Sequence, residues 1–188
     1  LAFREVKKTL GKTEETTTAR SVPVFSPNEI KNQFAEVVYN DVVINNKVYG
    51  LPFSLDTLAL LYNRDMLDAA GIPTPPKDWT ALAQTVAKLT TFNQKNNFIT
   101  SGVALGTGQN IPNSVDILSL IMAQVGATMT NEQGLAAFNQ PDPNDRERIP
   151  ALEALNFYTD FANPIKEVYS WNASQASSLD AFISGKLG

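Results

Sequence analysis

The chain contains no cysteine and no histidine among its 188 residues. Without cysteine it forms no disulfide and offers no thiolate nucleophile or thiolate metal ligand. Without histidine it has no serine–histidine triad and no imidazole acid–base pair. Any metal it held would be a hard ion with oxygen ligands. Catalysis would fall to carboxylates, lysine, tyrosine or a cofactor, and no motif calls for a cofactor. A basic excess is also missing. Fifteen Lys and Arg stand against 19 Asp and Glu, a formal net charge of −4, so the electrostatic footprint of a nucleic-acid binder is not there. No apolar run reaches the roughly 18 residues a membrane helix needs. The absence of cysteine suits either redox compartment and does not locate the protein.

What is present suits a folded α/β protein. Hydrophobic residues make up 43% and charged residues 18%, a balance that buries a core. Residues 1–20 are mixed in charge, rich in Thr and interrupted by Gly11, and read as a frayed or partly helical arm. Ser26-Pro27-Asn28-Glu29 is a capping box with proline at the first helical position. It predicts a helix over 27–36, with Ile30, Phe34 and Val37 on one face. Two β-branched runs around Asn45-Asn46 predict a hairpin over 41–50. The run at 57–62, TLALLY, reads as a strand buried on both faces.

Helix 64–70 stops at Gly71, and Pro73-Thr74-Pro75-Pro76 forces an extended connector. Asp78 caps a helix over 79–90, with Trp79, Leu82, Val86 and Leu89 at helical spacing and Trp79 in the core. A polar loop leads to a strand at 102–105, Gly-Val-Ala-Leu. The loop 106–113 and an apolar helix over 114–125, ending at Gly126, come next. Then follow a small hairpin over 127–139 around Asn131–Gly134, a loop at Pro141–Asp145, and helices over 149–162 and 177–185.

The segment 48–92 carries a resemblance. It reads Tyr49-Gly50-Leu51-Pro52, then the apolar run to Tyr62-Asn63, Arg64-Asp65, Gly71, Pro75-Pro76 and Trp79. In order and spacing this resembles the extracellular solute-binding proteins of bacterial ABC importers, the family that includes maltose-binding protein. Asp78 stands where that family more often has Thr. The second half agrees in order, through ALEALNFYTDFANP, YSWN and SSLDAFISGKLG. The resemblance covers roughly 26–188.

The resemblance implies a periplasmic-binding-protein-like, type II, two-lobe α/β fold that closes on a ligand by hinge motion. It implies that 1–55 is the tail of lobe one and 56–188 most of lobe two, with an inter-lobe crossing strand near 53–62. It further implies that the family's first strands and its later crossings lie outside this sequence. Function follows as an expectation: an extracytoplasmic, monomeric, non-enzymatic subunit that captures a carbohydrate between two lobes and passes it to ABC permease subunits. It would sit in the periplasm or be tethered at the cell surface as a lipoprotein.

A polyol site needs short side chains with fixed acceptors, and aromatic faces over sugar C–H patches. Asp56 is the first candidate, a carboxylate within an apolar segment where the resemblance implies an acidic ligand-binding residue. Its neighbours Ser54 and Thr57 are candidates too, or else satisfy backbone groups. Asn113, Ser114 and Asp116 open the 114–125 helix, whose first-turn amides point outward. Capping is the competing role for Asn113 and Ser114. Trp171, in a polar loop, either stacks on a sugar or plugs the face of helix 149–162. Two other readings compete: a carboxylate glycosidase using Asp56 and Asp116, and a non-catalytic surface-binding module.

Overall fold

The computed structural model describes residues 2–9, 12–19 and 25–188. The chain divides into two compact units, Leu1–Thr57 and Leu58–Gly188.

The first unit opens with two strands, β1 (Ala2–Thr9) and β2 (Lys12–Ala19), paired antiparallel with Lys7 opposite Glu14 and Glu5 opposite Thr16. Within the frayed or partly helical arm expected at 1–20, residues 2–9 and 12–19 are therefore paired strands. Threonine, β-branched and stiff at χ1, favours the pleated backbone over the helix, and β2 carries four of them. Helix α1 (Pro27–Gln33) begins as its capping box predicts. Ser26 Oγ accepts the Glu29 N–H, and the Glu29 carboxylate accepts the Ser26 N–H at 2.7 Å. The Ser26 N–H first, and the Ser26 hydroxyl donating at 2.8 Å second, hold the Glu29 carboxyl below its ordinary pKa.

The helix expected over 27–36 breaks at Phe34, which is extended, and resumes as α2 (Glu36–Val42). The break lets Ile30 and Val38 both be buried and leaves Val37 51% exposed. The hairpin β3 (Val43–Ile44) and β4 (Lys47–Val48) follows, with Asn45 and Asn46 both at positive φ (49° and 57°). Two left-handed residues in succession make the turn whose twist matches a two-residue hairpin, and Asn tolerates it.

Residues 49–63 hold no regular secondary structure. The strand expected at 57–62, and with it the crossing strand near 53–62, is not formed. A strand buried on both faces needs layers on both sides and neighbours on both edges. The described strands pair only as three two-stranded sheets, so Leu60 and Leu61 stay 56% and 64% exposed and Phe53 fully so. Tyr49 and Tyr62 are exposed as well.

The regular structure of the second unit is mostly helical. Helix α3 (Arg64–Ala69) is capped by Asn63, whose Oδ1 accepts the Met66 N–H, and ends at Gly71, φ +69°. Helix α4 (Trp79–Leu89) is capped by Asp78, which accepts the Ala81 N–H at 2.7 Å. Where a polar loop is expected, a hairpin forms, β5 (Thr91–Phe92) with β6 (Phe98–Thr100), turning at Asn96, φ +56°. Helices α5 (Ser114–Gln124), α6 (Pro150–Asp160) and α7 (Ser178–Ile183) complete the unit. The turn over 127–139 closes as expected, with Thr130 bridging Ala136 and Gly134 at φ +74°.

The main core joins Leu82 and Val86 of α4, Val103, Leu105, Ile121 of α5, and Ala154, Tyr158 and Phe161. Each buried aliphatic or aromatic side chain here contributes about 1.5–3 kcal/mol relative to exposure. Half-buried Trp79 packs against this core, its ring edge-on to Phe157 at 5.6 Å. A second cluster gathers Ile111, Trp171, Ala181 and Leu187.

The segment 102–105 is buried but forms no strand ladder. Ser101 makes an isolated parallel bridge to Leu187. Beyond it, the Ser170 hydroxyl receives the Val103 N–H at 3.0 Å and faces the Val103 carbonyl at 3.1 Å. Thr90 Oγ1 receives the Gly102 N–H. Side chains thus meet backbone groups that a neighbouring strand would otherwise satisfy. Among the described residues no helix is long and apolar enough to cross a membrane.

Candidate functional site

The second unit carries a groove of about 610 Å³. Leu58–Leu60 form one wall. Trp79 and Leu82 of α4, Ala104–Leu105, and Ile117 and Leu120 of α5 form the rest. The lining is mainly apolar, and its polar groups are Lys77, Asp78, Asn113 and Gln124. Such a lining, apolar with a few placed polar groups, is the usual character of a small-molecule site.

The polar groups are not equally available. The Asp78 carboxylate is committed to capping α4. Gln124 Oε1 accepts the Trp79 indole N–H at 2.6 Å, which joins α4 to α5 across the groove. Asn113 is the N-cap of α5, yet its side chain makes no capping bond, so its carboxamide is left for the groove. Helical spacing assigned Trp79 to the core, and no motif singled out Lys77 or Gln124. Their only signal is position, Gln124 being ten residues along α5 from Ser114.

The predicted site residues fall in both units. Ser54, Asp56 and Thr57 belong to the first, on exposed, irregular backbone. Asp56 Oδ1 accepts the Thr57 N–H at 2.8 Å. Asn113, Ser114 and Asp116 lie together at the start of α5 in the second unit. Of these, Asn113 lines the groove and Asp116 is exposed. Ser114 is 8% exposed, and its hydroxyl turns back to the Gly108 carbonyl at 3.3 Å.

Trp171 takes the buried role and not the stacking one. It is 0% exposed, and its N–H donates to Asn110 Oδ1 at 3.0 Å. The indole therefore plugs the core and presents no face for stacking. Its loop is polar in sequence, but Ile111, Ala181 and Leu187 close over it.

The loop 106–113 between the buried segment and α5 is held from several sides. Gly106 sits at φ +97°, and a Cβ there would lie 2.6 Å from the Ala162 nitrogen. The Tyr158 hydroxyl donates to the Thr107 carbonyl at 2.8 Å. Burial pushes the Tyr158 pKa above its ordinary value, against the opposing effect of a backbone hydrogen bond. At the far end of α5, Arg148 donates to the Val125 carbonyl at 3.1 Å and pairs with Asp142 and Glu153, each at 2.8 Å. This is where a cation suits the helix dipole.

Residues 8–188 match the model of the family described as bacterial extracellular solute-binding protein. The chain belongs to that family. A binding protein of Brucella abortus (strain 2308) is 30% identical over 131 residues, 70% of this chain and 28% of its own length. A Deinococcus radiodurans protein described as an ABC transporter-binding protein is 28% identical over 138 residues, 73% of this chain and 30% of its own. Among solved structures, CpMnBP1 with mannobiose bound is similar with a TM-score of 0.52 and 25% identity, over 83% of this chain and 38% of that one. The fold is accordingly that of a solute-binding protein, and the family resemblance seen in the sequence holds. The chain spans less than a third of the length of the Brucella and Deinococcus relatives.

Proposed function

We propose that this protein is the extracytoplasmic solute-binding subunit of an ABC importer and that its solute is a carbohydrate. The observation that carries the carbohydrate reading is the likeness to CpMnBP1 with mannobiose bound. The Deinococcus radiodurans relative supports the transporter partnership. In this reading Leu58–Gly188 is most of one lobe, and the first unit contributes to the other. The solute is held between the two lobes and released to a permease, without chemical change to the solute.

The contacts we propose are Asp56, Ser54 and Thr57 from the first unit, and Asn113 and Asp116 from the second. A carboxylate accepting from a sugar hydroxyl contributes about 1.5–3 kcal/mol, against about 1 for a neutral pair. Asp56 is therefore the residue whose loss weakens binding most. Closure follows only if the solute binds the closed form better than the open one. A micromolar affinity, about −8 kcal/mol, serves such a carrier.

Titration calorimetry of the full chain against mannobiose, maltose and a short peptide tests the proposal. Heat with a saccharide, reduced about tenfold in affinity in Asp56→Asn, is the expected result. Heat with the peptide alone overturns the carbohydrate reading. Turnover of an aryl glycoside, lost in Asp56→Asn, overturns the non-enzymatic one.

A further inference from the structure

Asn110 uses every hydrogen-bonding position of its side chain. Its Oδ1 accepts from the Trp171 indole at 3.0 Å and from the Thr107 hydroxyl at 2.5 Å. Its Nδ2 donates to the Asn172 carbonyl at 3.0 Å and the Gln175 carbonyl at 3.1 Å. Its own carbonyl accepts the N–H of Ser178, the first residue of α7, at 2.8 Å. A primary amide has two donors and one two-fold acceptor, and here all four positions are filled by groups 61 to 65 residues away or within its own loop. One side chain thus ties the loop 106–113 to the turn 171–175, and its carbonyl ties the same loop to α7. Three residues on, that loop ends at Asn113, whose carboxamide makes no cap and lines the groove.

We infer that Asn110 is a positioning residue: it holds the loop 106–113 in one conformation and so sets solute affinity through Asn113, with Trp171 acting on the solute only through Asn110. The affinity half rests on the carbohydrate reading above, and the loop half does not. A carboxamide held in place before the ligand arrives spares the ordering entropy that a mobile one loses on binding. Asn110→Asp separates this role from simple packing. Its shape is unchanged and one oxygen still accepts from Trp171 and Thr107. Its second oxygen, however, meets two carbonyl oxygens where an NH₂ stood, and the clamp reverses from attraction to repulsion.

Hydrogen exchange on the full chain reads the loop directly. In Asn110→Asp, amides of 106–113 and 171–175 exchange about tenfold faster while those of α4 and α6 keep their protection. Trp171→Phe, which removes one of the four bonds and keeps an aromatic plug, moves the same segments less. Unchanged exchange at 106–113, or a uniform rise that includes α4 and α6, overturns the inference. Calorimetry with mannobiose reads the affinity. Asn110→Asp weakens binding about tenfold in the wild-type background, but by no more than about twofold when Asn113 is already alanine. Equal losses in both backgrounds overturn action through Asn113. Absence of heat with both mannobiose and maltose in the wild type sinks the carbohydrate reading instead, and the exchange result alone then decides the clamp.

Discussion

The indole N–H of Trp171 donates to Oδ1 of Asn110 across 3.0 Å, joining positions 61 residues apart in the chain. Because the ring is fully buried, the N–H has no water to turn to. Trp171→Phe keeps most of the apolar contact but removes the donor, and is expected to lower stability by about 1–2 kcal/mol. Urea unfolding followed by circular dichroism checks this. The midpoint shifts down with an unchanged slope, and an unaltered midpoint refutes it.

Ser170 stands in for a strand neighbour at Val103, answering both its N–H and its carbonyl. Ser170→Ala leaves a buried donor and acceptor without that partner. The expected loss is about 1–3 kcal/mol, measured as a lowered urea midpoint. A variant as stable as wild type means that water or a backbone shift serves Val103 equally well.

Gly106 and Gly71 both adopt positive φ, but their surroundings differ. A Cβ on Gly106 meets the Ala162 nitrogen at 2.6 Å, whereas a Cβ on Gly71 meets nothing within 4 Å. Gly71→Ala is expected to cost about 1 kcal/mol, the strain of the left-handed backbone alone. Gly106→Ala adds a clash with the turn that follows α6 and is expected to cost about 3 kcal/mol or more. Paired thermal melts decide it, and equal losses in the two variants contradict the packing argument.

Asp142 titrates in a defined direction. The Asn144 N–H first, and the Arg148 guanidinium second, hold its carboxyl below the ordinary carboxylate value. Glu153 and then Asp142 raise the Arg148 pKa in turn. A carboxyl with a lowered folded-state pKa stabilises the protein fully above its unfolded value, about pH 4, and that contribution is lost as pH falls through the folded value. Asp142→Asn is therefore expected to be less stable than wild type at neutral pH, with the gap closing below about pH 4. Melting temperatures of both proteins from pH 7 down to pH 2.5 test this. A gap that widens on acidification contradicts it.

Elements specified by neighbouring residues are legible in the sequence. The Ser26–Glu29 capping box, the Asp78 cap, the Asn45-Asn46 turn and the stop at Gly71 all use contacts within four residues, and all form. The apolar periodicity of α4 buries Leu82, Val86 and Leu89 as its spacing predicts. Where expectation and structure part, the cause is long-range. The run 57–62 reads as a buried strand from composition, but strand formation needs partners that no local pattern supplies. The Thr-rich segment 12–19 is a strand because it pairs with β1 along its whole length.

Candidate site residues divide the same way. That Asn113 opens α5 follows from sequence, and that Asp56 sits in a short polar break of an apolar segment is visible there too. Whether a side chain faces a groove or the core is not. In sequence Trp171 is open between stacking and plugging, and packing with Ile111, Ala181 and Leu187 buries it; Ser114, at a helix start, is buried as well.

Residue types and their short-range order were enough to establish which chemistries these 188 residues do not supply, where most helices start and stop, and which family they resemble. Only packing decided that Asn110 knots two distant loops, that Ser170 replaces a strand, and that Gln124 bonds Trp79 across the groove. Each of these depends on side chains or backbone groups 45 to 67 residues apart meeting at hydrogen-bonding distance, and nothing short of the packed chain brings them there.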